Sequence, residues 1–235
     1  MIVTIDIAEV GPRRGLGILA RPPRPERIEG LRYAETLFTA PLGTSRPAPS
    51  VGTVGLLAAW EDEAALDRFA SHPLARELAS GWQARMEPLR VFGSWPGLAG
   101  LPKRPLPVED EEPVAVVTLG RFKPSRLGPF LRASAPAERD VLAEPGLLAS
   151  TAFARLPNLV STFSLWRTAK EMRAYATRKG GSHRAAVAED RERPFHRHSA
   201  FIRFRPYETR GQCGQFKALT PPQQPSRSQP LPPPA

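Results

Sequence analysis

Apolar and polar residues alternate from the start of the chain, with Val3, Ile5 and Ile7 set against Thr4 and Asp6. A period of two marks a strand with one buried face, so residues 2–10 are predicted as a strand. Residues 13–20 form a short helix candidate, cut off by Pro22-Pro23. Further strands are predicted over 31–39, between Gly30 and Pro41, over 51–60 after a loop of Pro, Ser and Gly, and near 89–94. Asp62 is a candidate N-cap for a helix reaching about Trp82, with Ala65, Leu66, Phe69, Leu74 and Leu78 on or near one face. Pro73 falls inside that helix and splits or kinks it.

The same order then returns. Residues 114–119 read as a strand, 125–133 as a short helix, and 147–153 and 159–166 as strands. Thr168-Ala169-Lys170-Glu171 is a capping-box pattern that starts a helix at Ala169. Gly180-Gly181 interrupts it, a second helical segment follows over 183–193, and a strand over 200–205 closes the unit.

The two passes are in register. Gly30-Leu31 to Pro41 has the spacing of Gly146-Leu147 to Pro157, and each is followed by an apolar run ending in Trp60 or Trp166. Both tryptophans are expected in the core at strand ends. Asp62 to Leu66 with Phe69 lies over Thr168 to Met172 with Tyr175. Written twice, β-α-β-β-α-β is the ferredoxin-like order, an α+β class. Two such sheets in one chain can cover each other's open faces as an intrachain dimeric α+β barrel. The expected organisation is repeat 1 over 1–98, a Gly-, Pro- and acid-rich linker over 99–113, repeat 2 over 114–207 and a disordered tail over 208–235. The copies differ in their polar residues, and those differences are the first place to look for chemistry.

Composition narrows the function classes. Of 235 residues one is cysteine, Cys213, so no internal disulfide forms; a reducing, cytoplasmic setting is the simpler expectation. The N-terminus reads as a strand with no basic and then apolar leader, and no apolar stretch is long enough to span a bilayer. The net charge of +10 comes mostly from arginine. No helix carries a basic face interleaved with aromatics, so nucleic acid is not the expected partner. Nucleophile-elbow, Walker, dinucleotide-binding and C-x-x-C motifs are all missing. Cys213 lies in the expected tail and is a poor nucleophile.

Several stretches together resemble the spheroidene monooxygenase-like family. They are Leu19-Ala20-Arg21-Pro22 with Gly30-Leu31, Val54 to Trp60 with Asp62, Thr162 to Trp166, Met172 to Ala176, Ser182-His183-Arg184-Ala185-Ala186-Val187, and Phe201 to Arg205. The likeness runs over about residues 1–207. It implies a monooxygenase, carotenoid-type oxygenation and a haem cofactor held by a histidine of the C-terminal half. The family pattern of Gly, one residue, His and then a helix matches Gly181, Ser182 and His183. The family's acidic pair before the last strand is here His196-Arg197-His198.

On that resemblance His183 is the candidate fifth ligand to haem iron, since a neutral imidazole can ligate it. Otherwise it is a helix-start residue that packs or faces solvent. Its copy in the first half would be His72, with different spacing. Arg184, Arg191 and Arg203 are the candidate partners of haem propionates, because guanidinium forks suit carboxylates. A solvated basic face is their other reading. Phe153, Phe163, Tyr175 and Phe204 are expected to fill the barrel or line an apolar substrate pocket. His196 and His198 could chelate a metal, a weak signal without a carboxylate neighbour. The expected substrate is a small apolar or specialised metabolite; an electron donor and self-association stay open. A cofactor-free α+β barrel monooxygenase and a non-catalytic ligand-binding barrel are the alternatives.

Overall fold

In the computed structural model, which describes residues 1–42, 50–178, 181 and 194–219, the described elements of each repeat fold in the expected order; the helical segment expected over 183–193 lies outside the described residues. Repeat 1 runs β1 (Ile2–Glu9), α1 (Pro12–Ala20), β2 (Leu31–Ala40), β3 (Ser50–Trp60), α2 (Glu63–Phe69), α3 (Pro73–Leu78) and β4 (Trp82–Gly93). Repeat 2 runs β5 (Val114–Phe122), α4 (Leu127–Leu142), β6 (Leu147–Arg155), β7 (Leu159–Trp166), α5 (Ala169–Thr177) and β8 (His196–Arg210). A small hairpin follows, β9 (Gln212–Cys213) and β10 (Phe216–Lys217).

The strand order β1-β3-β2-β6-β7-β5-β8-β4 closes on itself. Each repeat alone would leave two sheet edges with unpaired backbone groups, which is costly. Here β2 pairs with β6 around Thr39 and Phe153, and β4 pairs with β8 along most of its length. The closure therefore joins the two copies through backbone hydrogen bonds as well as through side chains.

Alternation sorts the side chains. Val3, Ile5 and Ile7 point into the barrel with Leu37, Leu57, Trp82, Met86, Val117, Phe153, Phe163, Ile202 and Phe204. The outer faces carry two separate layers under helices. Trp60, Phe69, Leu74 and Leu78 lie in the first, and Trp166, Ala169 and Met172 in the second. Both tryptophans are buried as expected, and each packs at a tilt against the matching helix residue, Trp60 against Phe69 and Trp166 against Tyr175. Asp62 and Thr168 cap α2 and α5 by accepting from the backbone N–H three residues on.

Four expectations change. The helix begun at Asp62 is split at Pro73, as expected, into two short helices ending at Leu78, but β4 starts at Trp82 rather than near Leu89. Trp82, Ala84 and Met86 alternate with Gln83, Arg85 and Glu87, a strand pattern at the end of the expected helix and ahead of the expected strand. α4 is longer than predicted, reaching Leu142 with Pro136 inside it. Within the expected linker, Leu101 is buried against the barrel core together with Trp95 and Leu98 just before it. Residues 208–219 of the expected tail are folded: β8 extends to Arg210, and Phe216 of the hairpin is buried against Trp82 and Phe163. One large aromatic with a cavity to fill, worth roughly 2–3 kcal/mol of burial, holds a polar segment that looked unable to fold.

Candidate functional site

The two copies of the helix–sheet layer can be compared position by position. Ile2 pairs with Trp60 and Val114 with Trp166, so Thr4 corresponds to Val116. Thr4 pairs with Arg85 on β4, and Val116 pairs with Arg203 on β8. Arg85 and Arg203 thus occupy the same place in the two repeats, each on the outer face beneath the helices.

Their surroundings are opposite. Arg85 is held by three carboxylates: Glu63 at 2.7 Å, Asp67 at 2.8 Å and Glu208 at 3.3 Å. Around Arg203 no carboxylate partner is found among the described residues. The residue directly across β4 is Arg90, and Arg173 on α5 lies close enough to act on it electrostatically. The Nε atoms of both Arg90 and Arg203 are buried without a hydrogen-bond partner. Burial, then the charges of Arg173 and Arg90, pushes the Arg203 guanidinium below its ordinary pKa. A buried guanidinium N–H left unsatisfied costs about 1–3 kcal/mol or more. Like charges facing each other across neighbouring strands add to that cost. Arg173 itself is paired with Asp110. The adjoining outward pair in the same two strands is aromatic: Phe92 faces Phe201 with ring centres 5.9 Å apart, and the Arg90 guanidinium lies 3.9 Å from the Phe92 ring centre.

At one end of the barrel interior a polar chain crosses between the copies. Trp95 Nε1 donates to Tyr33 Oη at 2.9 Å, and Tyr33 Oη donates to Glu35 at 3.3 Å. Arg155 Nη1 donates to Glu35 at 2.7 Å, and Arg121 lies 3.9 Å away. Burial and then the Glu35 charge push the Tyr33 hydroxyl well above its ordinary pKa. The whole set is mutually satisfied, which suits an internal tie between repeats.

A third polar site lies in the first helix–sheet layer. A cavity of about 40 Å³, lined by Thr4, Asp6, Leu66, Phe69, Gln83 and Arg85 among others, adjoins one of about 30 Å³. Each has room for water and little else. Gln83 Nε2 donates to Asp6 at 2.6 Å, and burial raises the Asp6 carboxyl to about 7 despite that bond and the nearby arginines.

The sequence-predicted residues are distributed as follows. His183, Arg184 and Arg191 lie outside the described residues, whereas Arg203 is the outward-facing arginine described above. Phe153, Phe163 and Phe204 are packed inside the barrel. Tyr175 does not fill the barrel with them: it sits across the sheet on α5, where its hydroxyl donates to Ala137 O of α4 at 3.0 Å. Burial, helped by the acidic residues of α4 and its C-terminal end, pushes that hydroxyl up to about 12. His196 packs its ring against Phe122 and Phe130. Among the described residues no group of three metal-ligating side chains occurs. Arg90 and Arg173 were missed because a lone arginine in a strand or helix has no motif. The signal that could have found Arg173 was the exchange of Asp67 for an arginine between aligned copies.

No protein-family model matches the chain. The chain is 31% identical over 221 residues to the spheroidene monooxygenase of Rubrivivax gelatinosus, which covers 90% of this chain and 83% of that protein. Among solved structures, an aldoxime dehydratase in complex with butyraldoxime superimposes with a TM-score of 0.50 and 7% identity, over 88% of this chain and 79% of that one. The second likeness is one of fold. Among the described residues no helix is long and apolar enough to cross a membrane.

Proposed function

The chain belongs to the spheroidene monooxygenase family and is a monooxygenase, and from that premise we propose that it is haem-dependent, with the haem held by repeat 2. The substrate we assign is a small apolar or specialised metabolite, oxygenated in the carotenoid manner. His183 would hold the haem iron, and Arg184, Arg191 and Arg203 would hold its acidic side arms.

One observation carries the reading: Arg203 presents a buried, unpartnered Nε on the outer face of the repeat that holds His183. An acidic cofactor suits such a group, because a carboxylate would satisfy it and offset the repulsion from Arg90. The first repeat offers no comparable place, since its arginine is already neutralised by Glu63, Asp67 and Glu208. Phe92 and Phe201 add an apolar wall beside the arginines, suited to the flat body of a porphyrin or of an apolar substrate. When bound, the group would supply the activation of dioxygen that the side chains lack. The chain's own share is to hold the acidic arms, to keep water from the face and to orient the ligand.

The test is the absorption spectrum of the purified protein after haem supplementation. A Soret band that is lost or shifted in His183→Ala is the expected result. A protein that takes up no haem under any condition removes the reading and leaves a cofactor-free monooxygenase.

A further inference from the structure

We propose that Arg90 and Arg203 together form a receptor for one carboxylate, carried on an otherwise apolar molecule, on the outer face of repeat 2. This deepens the haem reading by naming a second binding residue and the group it takes. It does not depend on the carboxylate being a porphyrin's.

The argument rests on the internal repeat. Arg85 and Arg203 are equivalent, and so are the positions around them. Asp62 and Thr168 both cap the helix after the tryptophan, so Glu63 corresponds to Ala169 and Asp67 to Arg173. On the β4–β8 seam Arg85 faces Glu208 while Arg203 faces Arg90, so Glu208 corresponds to Arg90. Every one of the three carboxylates that neutralise Arg85 is therefore replaced around Arg203, one by alanine and two by arginine. The arginine itself is kept.

Losing one carboxylate would leave a weaker ion pair. Losing all three and gaining two cations leaves a half-buried guanidinium whose buried Nε–H has no acceptor among the described residues, opposite a second with the same defect. Such an arrangement costs stability in the empty protein, and an external anion with two acceptor oxygens would relieve it. A carboxylate is the chemistry to expect, because carboxylates fill the same place in the first copy. The neighbouring Phe92 and Phe201 rings indicate that the rest of the ligand is apolar. Two sources share this chemistry: a propionate arm of a porphyrin, and a carboxylate on the substrate.

The experiment uses the full chain with Arg90→Gln, Arg203→Gln and the first-copy control Arg85→Gln. Arg203→Lys and Arg90→Lys are second variants that keep the charge and lose the fork. Hemin and hemin dimethyl ester are titrated by absorbance, and thermal unfolding is followed with benzoate against chloride at equal ionic strength. At low salt without ligand, Arg90→Gln is expected to melt at or above the parent temperature, while Arg85→Gln melts below it. Weakening of hemin binding by ~10-fold or more in both Gln variants, with the diester unaffected, supports the receptor and assigns it to the porphyrin. Equal binding of both porphyrins by all variants, with benzoate stabilising the parent and neither Gln variant, supports it and assigns it to the substrate. If no porphyrin binds and the benzoate effect still requires both arginines, the haem reading fails and the receptor stands. If neither the hemin–diester difference nor the benzoate effect depends on Arg90 and Arg203, the receptor is overturned whether or not haem binds.

Discussion

Gly55 on β3 and Phe153 on β6 meet face to ring across the barrel: a Cβ built on Gly55 would stand 2.4 Å from Phe153 Cε1. The contact joins the two copies, and only a residue without a side chain leaves room for the ring. The equivalent close approach in the first helix layer is Gly15, whose missing Cβ would sit 2.1 Å from the Val51 carbonyl oxygen.

Gly55→Ala should therefore destabilise the fold by about 1–3 kcal/mol, the usual cost of overpacking a tight core. Urea unfolding would show a lower midpoint at unchanged slope. Adding Phe153→Leu should restore part of the loss, because the ring is what the methyl meets. A double variant no better than the sum of the singles would count against this contact.

Phe216 is the anchor of the C-terminal hairpin, buried at 3% exposure between Trp82 and Phe163. Phe216→Ala should cost about 3 kcal/mol. Ending the chain before Gln212 should cost as much or more, since Trp82 Nε1 also donates to the Lys217 carbonyl. Removing residues beyond Leu219 tests the expected tail, and should leave the melting temperature nearly unchanged.

Glu35 ties the barrel end by accepting from Tyr33 and Arg155. Glu35→Ala leaves Arg155 and the Tyr33 hydroxyl without their acceptor. With Arg155 partly exposed, the loss should be about 2 kcal/mol rather than the full cost of an uncompensated buried charge. A double-mutant cycle with Arg155→Ala measures the coupling, which should exceed that of the exposed pair Arg32–Glu61.

Asp6 gives the fold a pH dependence. Its folded pKa is raised to about 7 by burial, so the native state holds the proton more tightly than the unfolded chain does. The contribution is fully present below the unfolded value near 3.8 and is lost as pH rises through about 7. Asp6→Asn keeps an acceptor for Gln83 and removes the charge. The melting temperature of the parent relative to this variant should fall between pH 5 and pH 8 by several degrees, reflecting at least ~1 kcal/mol. A constant difference between the two proteins over that range would refute the assignment.

Much of the architecture was legible because short-range chemistry declares itself in order. Caps at Asp62 and Thr168, alternation in β1, and tryptophans closing β3 and β7 all act over a few residues. Their repetition in the same spacing identified the duplication before any coordinate did. The misread elements are those whose partners are distant. The first half of β4 falls between a helix expected to about Trp82 and a strand expected near Leu89, and the strand is set there by pairing with β1 and β8. The hairpin after Arg210 looked unfoldable because its one anchor, Phe216, finds its pocket among side chains of β4 and β7.

The candidate site divides in the same way. Sequence alone determined the duplicated α+β plan, which follows from order and spacing along the chain, and the likeness to a monooxygenase family; Arg203 is a candidate only because that resemblance implies it. Tertiary structure decided that Arg203 faces Arg90, that Tyr175 lies outside the barrel, and that three carboxylates guard one arginine while none among the described residues guards its twin. A charge is felt by whatever stands within a few ångströms of it, and folding brings those neighbours from strands and helices far apart in the chain.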